Sequence, residues 1–348
     1  MRNAFSPSLR RLIWLIVPML VIWALRRAPI GDILAILVSL DPWQLGGLIA
    51  FNALALGIFP GRWWLILRAQ GESISYWQAL RYRMAAFTVS YFTPGSQFGG
   101  EPVQVYALHA RHKLPLDAAV ASVALDKLFE LLANFTFLGV GAALALSRQG
   151  SASFSITPVA LPMAGLLALP AVYLALLWTG HQPAGRLLDW SMQRMPGKLK
   201  NHPAILTGLG IVSASEGQIS DVLRKKPALM LQIAVSSALI WSFSLAEYWL
   251  ALRVLGAHLN LGQTILALSA ARLAFLTPLP GGVGALEASQ VIAMQALGIN
   301  PVFGVAVSLW IRARDLALGA LGAAFGAALS REALQTSRAA QTVFPIKP

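Results

Sequence analysis

Six charged residues sit where an apolar sequence should not carry them. Asp126, Lys127 and Glu130 fall about ten to fourteen residues into the apolar run 116–146, and Arg312, Arg314 and Asp315 lie at similar depth in the run 302–329. At about 1.5 Å per helical residue, that depth is near the middle of a bilayer. Each charge there costs roughly 2.5–3.5 kcal/mol on insertion scales unless it is paired or faces a polar cavity. Spacings of three and four place Lys127 beside Glu130 and put Asp126, Glu130 and Asn134 on one stripe, which must therefore face the protein interior. The cations can neutralise an anionic group, above all a phosphate, on its way through the apolar core. The alternative is a network of ion pairs that only fixes helix packing.

A second set lies in two Pro- and Gly-rich interruptions, Thr93-Pro94-Gly95-Ser96-Gln97-Phe98-Gly99-Gly100-Glu101 and Thr277-Pro278-Leu279-Pro280-Gly281-Gly282-Val283-Gly284. Proline ends a helix and glycine admits left-handed backbone, so the stretches 84–108 and 262–297 each read as two half-helices meeting at a loop. A hairpin that enters and leaves by one membrane face is the simplest shape; an extramembrane loop between interfacial helices is the alternative. Half-helix amino termini expose unpaired N–H groups and a positive dipole, so Gly95 to Gly100 and Gly281 to Gly284 can hold a phosphate by backbone alone. Thr93, Ser96, Gln97 and Thr277 can add neutral hydrogen bonds. Glu101 and Glu287 stand at the start of the following half-helices, where a carboxylate either caps the helix or joins the site. Arg272 lies within the second stretch and is a phosphate candidate, whereas Arg62 and Glu247 sit toward span ends, where snorkelling to the interface is expected.

The elements that must hold these groups are membrane helices. Of 348 residues, 57% are hydrophobic and 12% charged, about half the charged share of a soluble domain. With a mean hydropathy of +0.64, the main solvent of such a chain is lipid. Runs at 11–26, 44–67, 116–146, 156–178, 228–252 and 302–329 are candidate spans, the first of them short. The expected fold is an all-α polytopic membrane protein with about six spanning helices and two broken re-entrant hairpins. Residues 1–348 form one membrane domain: an anchor helix and linker at 1–43, a first unit at 44–146, a connecting span and basic segment at 147–227, a second unit at 228–329 and a tail at 330–348. The segment 181–227 is too small for an independent core. Arg26, Arg27, Ala28 and Pro29 resemble no cleavage site, so the first run reads as an anchor rather than a signal peptide.

The net charge is +13. Arg62, near the end of the second run, clusters with Arg68, Arg81 and Arg83 beyond it, Arg111 and Lys113 follow the first broken stretch, and Arg186, Arg194, Lys198, Lys200, Arg224, Lys225 and Lys226 fill 181–227. The positive-inside rule places all of them in the cytoplasm, together with both termini. Basic loops set topology and meet anionic headgroups, so membrane lipids are the expected partner and nucleic acid is not. Eleven Trp, among them Trp14, Trp23, Trp63, Trp64, Trp241 and Trp249, mostly fall near span ends as an interfacial belt. Without cysteine there is no disulfide, thiolate metal site or Cys nucleophile, and five scattered His argue against a metal centre, so no cofactor is expected.

Sliding the chain against itself by 185 residues brings Trp64-Leu65-Ile66-Leu67-Arg68 onto Trp249-Leu250-Ala251-Leu252-Arg253, Gly71 onto Gly256 and Gln78 onto Gln263. One deleted residue later, Phe92-Thr93-Pro94 meets Leu276-Thr277-Pro278, and further on Lys127-x-x-Glu130 meets Arg312-x-x-Asp315. Each unit is one span, one broken hairpin and one further span, and the charges make the two run in opposite directions. This is the inverted-topology repeat of alternating-access transporters. Its pseudo-twofold axis would bring two Arg and a Lys against three carboxylates.

Phe92-Thr93-Pro94-Gly95 through Gly99-Gly100-Glu101, Asp126-Lys127 in a span, and Pro280-Gly281-Gly282-Val283-Gly284 with Glu287 together resemble the flippase-like family, the transmembrane region of lysylphosphatidylglycerol synthases. The resemblance runs from about Phe51 to Leu329. It implies a polytopic protein that moves lipid headgroups between leaflets. In the synthases the lipid is aminoacylated phosphatidylglycerol made by a fused soluble domain; no such domain is expected here, so that lipid does not carry over. Shorter members are linked to polyprenyl-linked sugars, hopanoid pathways and phospholipids. The expected function is translocation of a phosphate-bearing lipid across a bacterial-type inner or plasma membrane. A membrane-embedded lipid-modifying enzyme is an alternative, but no His-bearing phosphatase signature, paired-Asp metal motif or serine triad is present, which leaves only Asp126 or Glu130 as acid or base. A small-solute or ion transporter is the third reading.

Overall fold

The computed structural model describes residues 31, 38, 40–93, 99–148, 157–194 and 202–343. Every regular element among them is helical: α1 (Pro42–Ile58), α2 (Gly61–Ala69), α3 (Tyr76–Phe92), α4 (Glu101–His112), α5 (Leu116–Arg148), α6 (Thr157–Trp178), α7 (Pro183–Gln193), α8 (Pro203–Lys225), α9 (Pro227–Val254), α10 (Leu261–Ala274), the 3-10 turn Pro280–Gly282, α11 (Ala285–Ala296) and α12 (Val302–Val343). Prolines open α1, α7, α8 and α9, at a position where the missing N–H has no intrahelical partner to lose.

Three segments are long and apolar enough to cross a bilayer: Pro42–Ala69, Leu116–Ser147 and Pro227–Val254, with 28, 32 and 28 residues. They match the runs expected at 44–67, 116–146 and 228–252. Ala164–Trp178 and Pro183–Gln193, bent by 96°, make a fourth if the pair is one broken span. The run 302–329 lies inside the 42-residue helix α12, and Arg312, Arg314 and Asp315 lower the apolar character of that run. The run 11–26 is outside the described residues. The second Pro- and Gly-rich stretch is helix, break and helix, as α10 and α11, and around the first α3 ends at Phe92 and α4 begins at Glu101.

The sequence repeat has a structural counterpart in local detail. Trp64 Nε1 donates to the Ile74 carbonyl at 3.1 Å, and Trp249 Nε1 to the Leu259 carbonyl at 3.2 Å. Arg68 lies 5.2 Å over the Trp64 ring, and Arg253 lies 5.1 Å over Trp249. Gly71 and Gly256 turn the chain with φ of 92° and 93°. Ser75 with Gln78, and Asn260 with Gln263, then form reciprocal backbone and side-chain bonds that cap α3 and α10. Each pair of positions is separated by the same 185 residues.

The helices gather into two compact units. The first takes residues up to Asn52, Arg83–Val103 and Ala246 onward. Small residues let its helices approach closely: Thr88 Oγ1 donates to the Gly319 carbonyl at 2.8 Å, and a Cβ on Gly304 would lie 2.6 Å from the Gln290 carbonyl oxygen. The second unit takes Ala53–Tyr82 and Gln104–Leu245, packed around Ile66, Leu125, Leu177, Leu223 and Ile233. There Glu216 of α8 accepts from Tyr173 Oη at 2.6 Å and from the Ala184 and Gly185 N–H at 2.9 and 2.8 Å, which caps α7 with a buried carboxylate. Two surface expectations differ from this packing. Trp63 is wholly buried with Nε1 3.4 Å from Ser122 Oγ, so it does not belong to an interfacial belt, and Arg83 is buried within α3 instead of lying in a basic loop.

Candidate functional site

In the first unit the site is assembled by α9, the Gly-rich break, α11 and α12. The α11 residue Glu287 accepts from the Gly284 N–H at 2.9 Å, as a first-turn carboxylate should. The same carboxylate pairs with Arg312 of α12 through Nε and, at 2.9 Å, through Nη2. Gly281 and Gly282 are both left-handed, with φ of 57° and 61°, and their carbonyls accept from Arg312 Nη1 at 3.1 Å and Nη2 at 3.3 Å. Only glycine takes two such values in succession without strain, which is why this pair occurs in the break. Two residues further along α12, Arg314 binds Asp315 Oδ1 at 2.7 Å and pairs with Glu247 of α9, which also accepts from Trp310 Nε1 at 3.3 Å. Arg272 acts electrostatically on Asp315. Thr277 Oγ1 donates to the Ala274 carbonyl at 2.6 Å and so closes the end of α10.

The break is therefore a cation cradle more than an anion nest. The Gly282 N–H bonds to the Leu279 carbonyl at 2.9 Å, and the Val283 N–H to the Pro280 carbonyl at 3.3 Å. With Gly284 held by Glu287, three of its amides are used internally, and the group with the chemistry to meet a phosphate is the Arg312 guanidinium.

The first break repeats the pattern at its described positions. Gly99 has φ of 112° and donates to Glu101 Oε2 at 2.7 Å; Gly100 donates to Ser90 Oγ at 2.9 Å; and Thr93 Oγ1 closes α3 on the Ser90 carbonyl at 3.2 Å. Gln97, expected beside them, lies outside the described residues, as do Gly95 and Ser96.

In the second unit Arg62 of α2 meets the stripe on α5. Its Nε donates to Asp126 Oδ1 at 2.7 Å, its Nη1 to Ser237 Oγ at 3.4 Å, and its Nη2 lies 3.6 Å from Glu130 Oε2. Lys127 Nζ donates to Glu130 Oε1 at 2.9 Å, the i,i+3 pair that the spacing implies. Asp126, Lys127 and Glu130 are thus brought together in one unit, and Glu287, Arg312, Arg314 and Asp315 in the other. Arg62 and Glu247 correct the snorkelling expectation: both are buried and paired. The missed signal is in the repeat itself, since the 185-residue offset sets Arg62 on Glu247, opposite charges at matched positions one span away from the midplane charges. Among the described residues no group of three or more His, Asp or Glu is arranged to hold a metal.

This arrangement of paired breaks and paired ion clusters lies within a region, residues 12–322, matched by the family model described as the lysylphosphatidylglycerol synthase TM region. The chain belongs to that family. As a member of it, the protein is an integral membrane protein. A UPF0104 membrane protein of Methanothermobacter thermautotrophicus (strain Delta H) is 24% identical over 288 residues, 80% of this chain and 83% of the relative. A further UPF0104 membrane protein of the same organism is 30% identical over 105 residues, 30% of each chain. No solved structure matches.

Proposed function

We propose that this family member is a lipid translocase that carries a phosphate-bearing headgroup between leaflets while the acyl chains stay in the bilayer. One observation carries the reading. In each unit a buried guanidinium has a partly exposed carboxylate for a partner: Arg62 is 3% exposed beside Glu130 at 35%, and Arg312 is 5% exposed beside Glu287 at 29%. A cation held ready in an apolar environment, with one partner reachable by a ligand, is what a phosphate needs to leave water. The proposal includes six spans with two re-entrant hairpins, an inverted repeat and cytoplasmic termini, on the positive-inside argument. Helix α7, set at 96° to α6, supports that orientation, since it exposes Leu187 and Trp190 beside Arg186 and Arg194, a composition suited to the headgroup plane. The reading includes no catalytic step and no cofactor.

Reconstitution of the purified chain in liposomes tests it. Leaflet exchange of a labelled anionic phospholipid above protein-free vesicles is the expected result. A covalently altered lipid would point instead to an enzyme, and solute uptake without lipid movement to a solute transporter.

A further inference from the structure

Asn134 is the third member of the α5 stripe, one helical turn beyond Glu130 and two beyond Asp126. It is 3% exposed, and its Nδ2 has no hydrogen-bond partner among the described residues. An amide donor left unpaired at that depth loses its water without compensation, so as a packing element it is worse than a leucine of similar size. On the same stripe, Arg62 is fastened independently of Glu130, by Asp126 at 2.7 Å and Ser237 at 3.4 Å, whereas its distance to Glu130 is 3.6 Å. Lys127 is a further cation on Glu130. Glu130 is thus the one acidic member that can leave without releasing Arg62.

We infer that Asn134 and Glu130 form the second unit's phosphate seat: a phosphate ester displaces the Glu130 carboxylate from Arg62 and Lys127 and takes a further hydrogen bond from Asn134 Nδ2. Asp126 remains as the counter-charge of Arg62, and the displaced Glu130 carboxylate, 35% exposed, turns out to water, so the negative charge facing Arg62 and Lys127 is replaced and not added to. Glu130 is the displaceable placeholder, and Asn134 supplies the donor that stands unused while Glu130 is in place. This deepens the translocase reading and rests on it for the source of the phosphate.

The full chain in phosphate-free detergent is titrated by calorimetry with dihexanoyl phosphatidylglycerol and, separately, with inorganic phosphate, for wild type, Glu130→Gln and Asn134→Leu. Glu130→Gln removes the competitor, so lipid binding should tighten by about fivefold or more. Asn134→Leu removes one hydrogen bond to a charged ligand and should weaken it about tenfold, with a melting temperature equal to or above wild type. Wild-type affinity in both variants, weaker binding by Glu130→Gln, no binding of either probe by wild type and Glu130→Gln, or a melting temperature several degrees lower in Asn134→Leu with unchanged affinity would overturn the seat. If Asn134→Leu does not fold, the Glu130→Gln titration decides alone. Inorganic phosphate binding with the same variant dependence but no lipid binding would keep the seat and remove the lipid. The expected lipid binding pattern without leaflet exchange in vesicles would keep the seat and remove the translocase.

Discussion

Arg312 holds two kinds of partner, a carboxylate and two backbone carbonyls, and the two respond differently to mutation. Arg312→Gln leaves Glu287 without its cation; the expected loss is about 2–3 kcal/mol, below that of a fully buried pair because Glu287 is partly exposed. Adding Glu287→Gln removes the orphaned charge and should restore most of the melting temperature, while the Gln can still accept from the Gly284 N–H. If the translocase proposal holds, leaflet exchange should stay lost in the double variant, because the cation assigned to the phosphate is gone. Recovery of both stability and exchange would show that the charges serve only one another. His112 supplies a pH test outside the spans. Burial, and then the neighbouring Arg111, hold its pKa below the usual value, and Tyr82 Oη lies 2.9 Å from Nε2. The unfolded chain therefore takes up the proton first, near pH 6.5, and the folded chain only at lower pH. Stability from this residue is present above that pH and falls as pH drops through the window. Melting curves from pH 8 to 5.5 should decline less steeply in His112→Gln than in wild type; equal slopes would rule the group out.

The hairpins depend on backbone that side chains do not tolerate. A Cβ on Gly281 would lie 3.0 Å from the Tyr91 ring, and Gly282 adds its own left-handed φ beside Phe275. Gly282→Val should cost about 1–3 kcal/mol in backbone strain and turn its carbonyl away from Arg312, so leaflet exchange falls sharply while membrane insertion persists. Gly99→Val should act in the same way, since its Cβ would meet Thr93 Oγ1 at 2.8 Å. Full exchange in both variants would make the breaks ordinary loops. The α7 cap is a contrast, a structural carboxylate with three donors and no exposed partner to exchange. In the translocase proposal, what marks a buried charge for function is a partner that a ligand can reach, and Glu216 has none among the described residues.

For the whole molecule, the compact units do not coincide with the repeats. Residues 83–103, from the first repeat, belong to the same unit as the second repeat's hairpin, with Thr88 bonded to Gly319. Topology has its own test. Tags at either terminus and near Gly197 should be reached only from the cytoplasmic side, because the dense Lys and Arg clusters are expected there. Labelling of the Gly197 region from outside would remove the opposed direction of the two repeats, and with it the alternating-access reading.

Composition, the apolar runs at 44–67, 116–146 and 228–252, the two Pro- and Gly-rich stretches and the 185-residue offset were legible in the chain, because bilayer thickness and helix rise convert such runs directly into helices long enough to span. So was the Lys127 and Glu130 pair, whose partners share one helix. What tertiary structure alone decided is which charges meet across helices. Arg62 reaches Asp126 over 64 positions and Glu247 reaches Arg314 over 67, and no local period records such distances. Depth was misjudged for the same reason: a residue near the end of a run snorkels only if water is what lies beside it, and beside Arg62, Trp63 and Glu247 lies another helix.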